Sequence, residues 1–267
     1  MYILNPSLII TPSADLDTRL PVIGWHNVVT VATIAATSED ADHPVTELAN
    51  QITYLYWLSA STGTQYLTAT LSGVDEVDYV AIARHNLGSA GVTVSVEANI
   101  GAGWVEVFPA YLPADDKPLL LRFTGVASPT GVRVKLVPDG TEPSAAVLYI
   151  GKLLVMERGV QPGHTPLPYA LSRNIVSGRS VSGEYLGRIE HGAALKSSAN
   201  FRFLTADFVR EELNPFLEDG GPFFFVWQPE EYPDEVGYAW CANDPIPTIS
   251  HLSNFSDVTL ELEALAL

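Results

Sequence analysis

The spacing of the apolar runs constrains this chain most. From Trp25 to Glu157 short alternating stretches recur at close intervals, each closed by Gly, Pro, Asn or Asp. "HNVVTVATIAA", "TQYLTATLSG", "VDYVAIAR", "GVTVSVEANI", "GWVEVF", "PLLLRFTG", "GVRVKLVPDG" and "AVLYIGKLLVME" are the strand candidates. In "VTVSVEA" and "VRVKLV" the apolar side chains fall on one face and the polar ones on the other, as a half-buried strand requires. Turns this frequent leave no room for the crossover helices of a doubly wound parallel sheet. The pattern predicts a mainly β sandwich or jelly roll over residues 21–157.

Two segments flank it. Residues 1–20 read as an irregular N-terminal arm holding one apolar run, Leu8-Ile9-Ile10; a strand lent to a neighbouring subunit and a frayed terminus both fit it. Residues 158–170 carry Pro162, Pro166 and Pro168, which fix φ and remove donors, so they read as an extended linker. Residues 171–267 then read as a second β domain containing the one strong helix signal, "TADFVREELNPFLEDGG", near 205–219. Thr205 is a good N-cap, Val209, Leu213, Phe216 and Leu217 share a face, and Gly220 or Gly221 supplies a left-handed stop. Pro215 predicts a kink or break near Asn214.

Composition excludes several functions. The 267 residues carry 14 basic and 31 acidic side chains, a net charge of −17, which disfavours binding to a phosphate backbone. Cys241 is the single cysteine, so no disulfide forms within the chain, and its setting, "YAWCAND", offers no activating base. No run reaches the ~18 apolar residues of a membrane span, and the first residues lack the basic start of a signal peptide, so a soluble cytoplasmic product without membrane insertion is expected. Neither a nucleophile elbow, a phosphate loop nor a dinucleotide fingerprint occurs, and no carboxylate pair stands out as an acid–base couple. The chain reads as a non-enzyme without cofactor, a glycosidase or enzyme accessory being the least supported alternative.

Two sets of residues are candidates for binding. Trp57, Arg84, His85 and Trp104 combine aromatic faces with polar groups, the combination that grips a sugar; for His85 and Asn86 the capping of a turn is the favoured reading. "SEDADH" (38–43) groups hard oxygen ligands but reads equally as a polar loop, and the expectation is no metal. In "GGPFFFVWQPEEYPDEVGYAW", Phe224 and Trp227 belong to a strand apolar on both faces, beside Glu230, Glu231, Asp234 and Glu235. Segment 173–202 is basic, with five cations against two carboxylates, a net of +3. A basic and an acidic side on one domain would suit head-to-tail assembly.

"VATIAATSEDADHPVTELAN", "TYLYWLSASTGTQYLTATL", "VDYVAIARHNL" and "VTVSVEANIGAGWVEV" resemble a discoidin-like (F5/8 type C, galactose-binding-like) sandwich, over about half the chain. "NFRFLTADFVREELNPFLEDGGPFFFVWQPEEYPDEVGYAW" with "DVTLELEAL" resembles the tube domain of bacteriophage distal tail and minor tail proteins, although there the tube domain comes first. The resemblance implies a virion structural protein of a tail tip or baseplate, synthesised in the host cytoplasm. It implies a homo-oligomeric ring, six copies by resemblance, contacting tube, hub and fibre proteins. DNA would pass without specific binding, with Glu230, Glu231, Asp234 and Glu235 facing the lumen and Phe224 and Trp227 serving assembly. The alternative is a carbohydrate-binding module or adhesin acting through the N-terminal sandwich.

Overall fold

The computed structural model describes residues 1–4, 18–72, 76–250 and 254–265; Leu8-Ile9-Ile10 of the expected arm lie outside them. The chain forms two compact units, residues 1–156 with 221–236 and residues 157–220 with 237–267. Among the described residues twelve strands precede residue 157: β1 (Tyr2–Leu4), β2 (Val22–Gly24), β3 (Ile34–Ala36), β4 (Trp57–Leu58), β5 (Gln65–Thr70), β6 (Val77–His85), β7 (Thr93–Asn99), β8 (Trp104–Tyr111), β9 (Leu119–Val126), β10 (Gly131–Val137), β11 (Ser144–Gly151) and β12 (Leu154–Val155). Six follow: β13 (Leu171–Arg179), β14 (Tyr185–Thr205), β15 (Phe223–Val226), β16 (Val236–Cys241), β17 (Thr248–Ile249) and β18 (Phe255–Ala264). The protein is mainly β, as the turn spacing predicts.

The first unit is a sandwich. One sheet runs β1-β9-β6-β11-β4 and the other β3-β5-β10-β7-β8. Their alternating apolar residues form one core, with Val80, Ile82, Leu121 and Leu148 from the first sheet and Leu67, Val96, Val132 and Val134 from the second. Burial of these side chains is the main stabilising term, about 1.5–3 kcal/mol for each. All pairings in the sandwich are antiparallel except β1 on β9, so Tyr2–Leu4 form an edge strand where the sequence suggests irregular chain. A further set, β12-β2-β15, belongs to the same unit.

"HNVVTVATIAA" yields only the three residues of β3. Asn27 diverts the rest. Its Oδ1 accepts from the Val29 and Ile150 N–H groups and its Nδ2 donates to the Leu148 carbonyl, while Thr30 and Thr33 close a turn. A short polar side chain that bonds local backbone competes with ladder formation.

In the second unit β16, β18, β14 and β13 are neighbours in that order, with β17 on β18. At Asn214, where a kink or break is expected, the helical segment changes its hydrogen-bond register. Ala206–Phe208 is α-helical, Val209–Leu213 is a π turn and Asn214–Asp219 is α-helical again, with Pro215 in the first turn of the last piece. There the missing N–H costs little, and the wider π turn relieves the ring clash that an interior proline brings. Thr205 Oγ1 accepts from the Phe208 N–H at 3.4 Å and Gly220 stops the helix at φ 63°. The stretch 158–170 contains a 3-10 turn, Leu167–Tyr169, and the Gln161 N–H donates to the Asn200 carbonyl.

Candidate functional site

The end of β6 is built by its own polar groups. The Leu87 N–H donates to His85 Nδ1, so Nε2 carries the proton and donates to the Lys117 carbonyl at 2.8 Å. Burial pushes the imidazole down to about 4, against a smaller upward pull from that carbonyl. Asn86 accepts from the Ser144 N–H and donates to the Glu142 carbonyl. His85 is therefore a neutral turn clamp with both nitrogens taken, and it is not available to a sugar. Arg84 remains exposed, at φ 54°.

Trp57 is 0% exposed, and its Nε1–H donates to the Ser38 carbonyl. A ring in the core cannot stack on a ligand, which removes the second sugar candidate. Trp104 is half-buried on the other sheet, where a guanidinium occupies it. Arg133 lies 4.3 Å from the Trp104 ring centroid and 4.4 Å from that of Tyr66, and it is ion-paired to Glu97 on β7. Gly131 makes space for the indole: a Cβ there would lie 3.2 Å from its edge. Arg84 and Trp104 thus sit on different sheets, and the four expected sugar contacts do not converge.

The aromatic-acidic segment also serves local structure. Phe223, Phe224, Phe225 and Val226 are all buried, so β15 is covered on both faces. Phe224 meets Tyr149 edge-on at 5.5 Å, and the Tyr149 hydroxyl donates to the Pro222 carbonyl. Phe224 is therefore a core residue and offers nothing to a neighbouring subunit. Trp227 stacks on Tyr232 at 5.2 Å and donates its Nε1–H to Glu235 at 2.5 Å. Glu231 accepts from Gln228, and Glu230 from the Thr18 hydroxyl. The juxtaposition of aromatics and carboxylates folds a loop, leaving Glu230, Glu231 and Asp234 exposed on the first unit. The acidic loop and basic segment 173–202 consequently lie on different units, not on one domain.

The carboxylates of "SEDADH" cap backbone as well. Glu39 accepts from the Val45 N–H and Asp40 from the Asp42 N–H. No three His, Cys, Asp or Glu side chains converge as metal ligands among the described residues. Cys241 is an inert thiol, pushed up to about 11 by burial and by Asp244.

Two exposed features escape the sequence reading. The first is the loop before β4, where Ile52, Tyr54, Leu55 and Tyr56 all face solvent, Tyr54 at 86% exposure. His43 stacks flat on Tyr56 at 4.0 Å. The signal was the apolar run "ITYLYW" in a polar setting, but nothing local distinguishes the outward Tyr54 from the inward Trp57. The second is the β13–β14 ribbon. Every residue of β13 is exposed, as are Tyr185, Leu186 and Ile189 on β14. Val176 and Ile189 pair across the strands, 55% and 64% exposed. β18 pairs with β14 only from Leu195 onward, so over 185–194 β14 has β13 as its single strand neighbour among the described residues.

No family model matches the chain, and no curated protein matches it. Among solved structures, it is similar to chitosan-binding module 1 of a Paenibacillus sp. IK-5 chitosanase/glucanase, at 18% identity and TM-score 0.41, covering 48% of this chain and 99% of the module. It is also similar to a pectin-binding carbohydrate-binding module, at 15% identity and TM-score 0.39, covering 48% and 92%. A third is the CBM32-5 module of CpGH89 from Clostridium perfringens, in complex with GalNAc-β-1,3-galactose, at 16% identity and TM-score 0.38, covering 45% and 94%. The likeness covers about half of this chain and carries no ligand across to it.

Proposed function

We propose that this chain is a structural subunit whose second unit is completed by further copies of itself, and that it serves as a ring component of a bacteriophage tail tip or baseplate. The ribbon carries the reading. An isolated two-stranded hairpin is at best marginally stable in water, and an unpaired edge is a template for another strand. Here both outer edges lack a strand neighbour over 185–194 among the described residues, and Val176, Ile189, Tyr185 and Leu186 lie open. Strands from adjacent copies would satisfy the backbone and bury the apolar pairs together. The tail-tip assignment rests further on the sequence resemblance of residues 200–240 and 257–265 to tube domains. Light scattering with negative-stain imaging should find a closed ring, and Val176→Asp with Ile189→Asp should abolish it while leaving the circular dichroism unchanged. A chain that stays monomeric at millimolar concentration would refute the reading, since its ribbon would need no neighbour.

A second reading, the first unit as a carbohydrate-binding module, is favoured by the exposed Tyr54 beside the Tyr56–His43 stack. Aromatic faces held open in this way suit the apolar faces of sugar rings. A glycan array with Tyr54→Ala as control tests it: binding lost in the variant supports the reading, and a silent array sinks it.

A further inference from the structure

We infer that the ribbon tip of one copy docks into a groove on the second unit of the next copy, a contact that rests on the assembly reading above and names its partner surface. The groove has a volume of about 340 Å³ and lies between the β14–β18 face and the loop before β17. Asp244, Asp257 and Glu261 line it with Arg202, and Ile246, 75% exposed, stands at its edge. Asp257 accepts from the Phe203 N–H and Glu261 from the Ser198 hydroxyl. A carboxylate offers roughly four acceptor sites, so each keeps capacity for an incoming cation.

The tip carries the complementary set. Arg179 and Arg188 are exposed and held by no ion pair among the described residues, whereas Arg173, nearer the base, is paired with Glu190. Glu184 stands between the two arginines in the chain, and Val181 is the most exposed apolar residue at the turn. The turn is preorganised. The Ser180 N–H donates to the Glu184 carbonyl, the Glu184 N–H to Ser180 Oγ, and the Gly183 N–H to the Ser180 carbonyl at a φ of 87° for Gly183. Arginines meeting Asp244 and Glu261, Glu184 meeting Arg202, and Val181 meeting Ile246 would match the two surfaces in charge and in apolar contact. Charge pairing of this kind fixes register between partners.

The contact must be made between copies. Tyr185 and Arg202 lie on one continuous strand, 17 residues apart by number, and a strand rises about 3.3 Å per residue. The tip therefore stands on the order of 50 Å from its own groove. A tip-to-groove contact is heterologous, and such contacts close into a ring or run on as a filament.

The test is sedimentation velocity of the full chain over a concentration series, with circular dichroism to check folding. Arg179→Glu with Arg188→Glu should raise the association midpoint at least tenfold, and Asp244→Arg with Glu261→Arg should do the same. A mixture of the two double variants should associate with the wild-type midpoint. As a second measurement, in a Cys241→Ser background, Val181→Cys and Ile246→Cys chains should cross-link on oxidation only when mixed. Wild-type association in both double variants, with no mixed cross-link, overturns the docking proposal and leaves the assembly reading standing. A wild-type chain that never associates overturns both.

Discussion

Asp78 on β6 offers the sharpest test of the forces in the first unit. Its Oδ1 accepts from the Leu153 N–H at 2.8 Å, and burial pushes the carboxyl up from 3.8 to about 6 despite that bond and the charge of Arg122. The group is easier to ionise in the unfolded chain. Stability it contributes is fully present below 3.8 and is lost as the pH rises through 6. One pH unit corresponds to about 1.4 kcal/mol, so the ionised carboxylate costs up to about 3 kcal/mol at pH 8 and about 0.5 kcal/mol at pH 4. Asparagine keeps an acceptor for Leu153 and carries no charge. Asp78→Asn should therefore raise the unfolding free energy by up to about 3 kcal/mol at pH 8 and change it little at pH 4. Urea denaturation in a Trp240→Phe background is the assay, because Trp25, Trp57, Trp104 and Trp227 all belong to the first unit and their fluorescence follows its transition alone. An equal effect at the two pH values, or a loss at pH 8, would refute the desolvation argument.

His85 titrates with the opposite sign. Its folded value is lowered to about 4 from 6.5, so the first unit should lose up to about 3 kcal/mol as the pH falls from 6.5 towards 4, and His85→Gln should flatten that limb of the denaturation profile. Trp57→Ala should cost about 3–5 kcal/mol in urea denaturation as a core cavity, without altering any glycan affinity the chain possesses. Gly151→Ala should prevent soluble expression or lower the melting temperature steeply, because the added Cβ would lie 2.1 Å from the His26 carbonyl oxygen. Trp104→Ala should cost about 0.5–1 kcal/mol by releasing one face of Arg133, measured by the same denaturation.

Strands β5 and β10 could be read from the sequence because one face of each is buried and the other half-open, which imposes a period of two, whereas β6, β9 and β11, buried along most of their length, were legible as short apolar runs bounded by turn residues. Thr205, Pro215 and Gly220 likewise marked the helix start, its irregularity and its stop by local chemistry. Asn27 shows where local reading ends: its hydrogen bonds to residues 148 and 150 are long-range, and they hold "HNVVTV" off the ladder. The binding candidates failed for the same reason. Whether Trp57, Tyr54 or Trp104 faces solvent depends on distant chain, and Arg133 reached Trp104 from another strand. The ribbon lies within the segment read as a second β domain, but a sequence alternates alike whether its apolar face meets a core or remains open for another molecule.

The pairing of β2 with β15 also has a temporal side. Ile23 lies opposite Phe225, and both belong to the first unit. On the ribosome, with elongation at 5–20 residues per second, Ile23 waits roughly 10–40 s for that partner to be made. Late in this interval the strands of both sandwich sheets have been made but the strand that pairs with β2 has not, and the ribbon, which precedes β15 in the chain, leaves the ribosome before β15 does. The apolar ribbon is thus exposed before the first unit is finished. If copies associate through the ribbon as proposed, each chain has to complete its own fold in competition with finding the next copy.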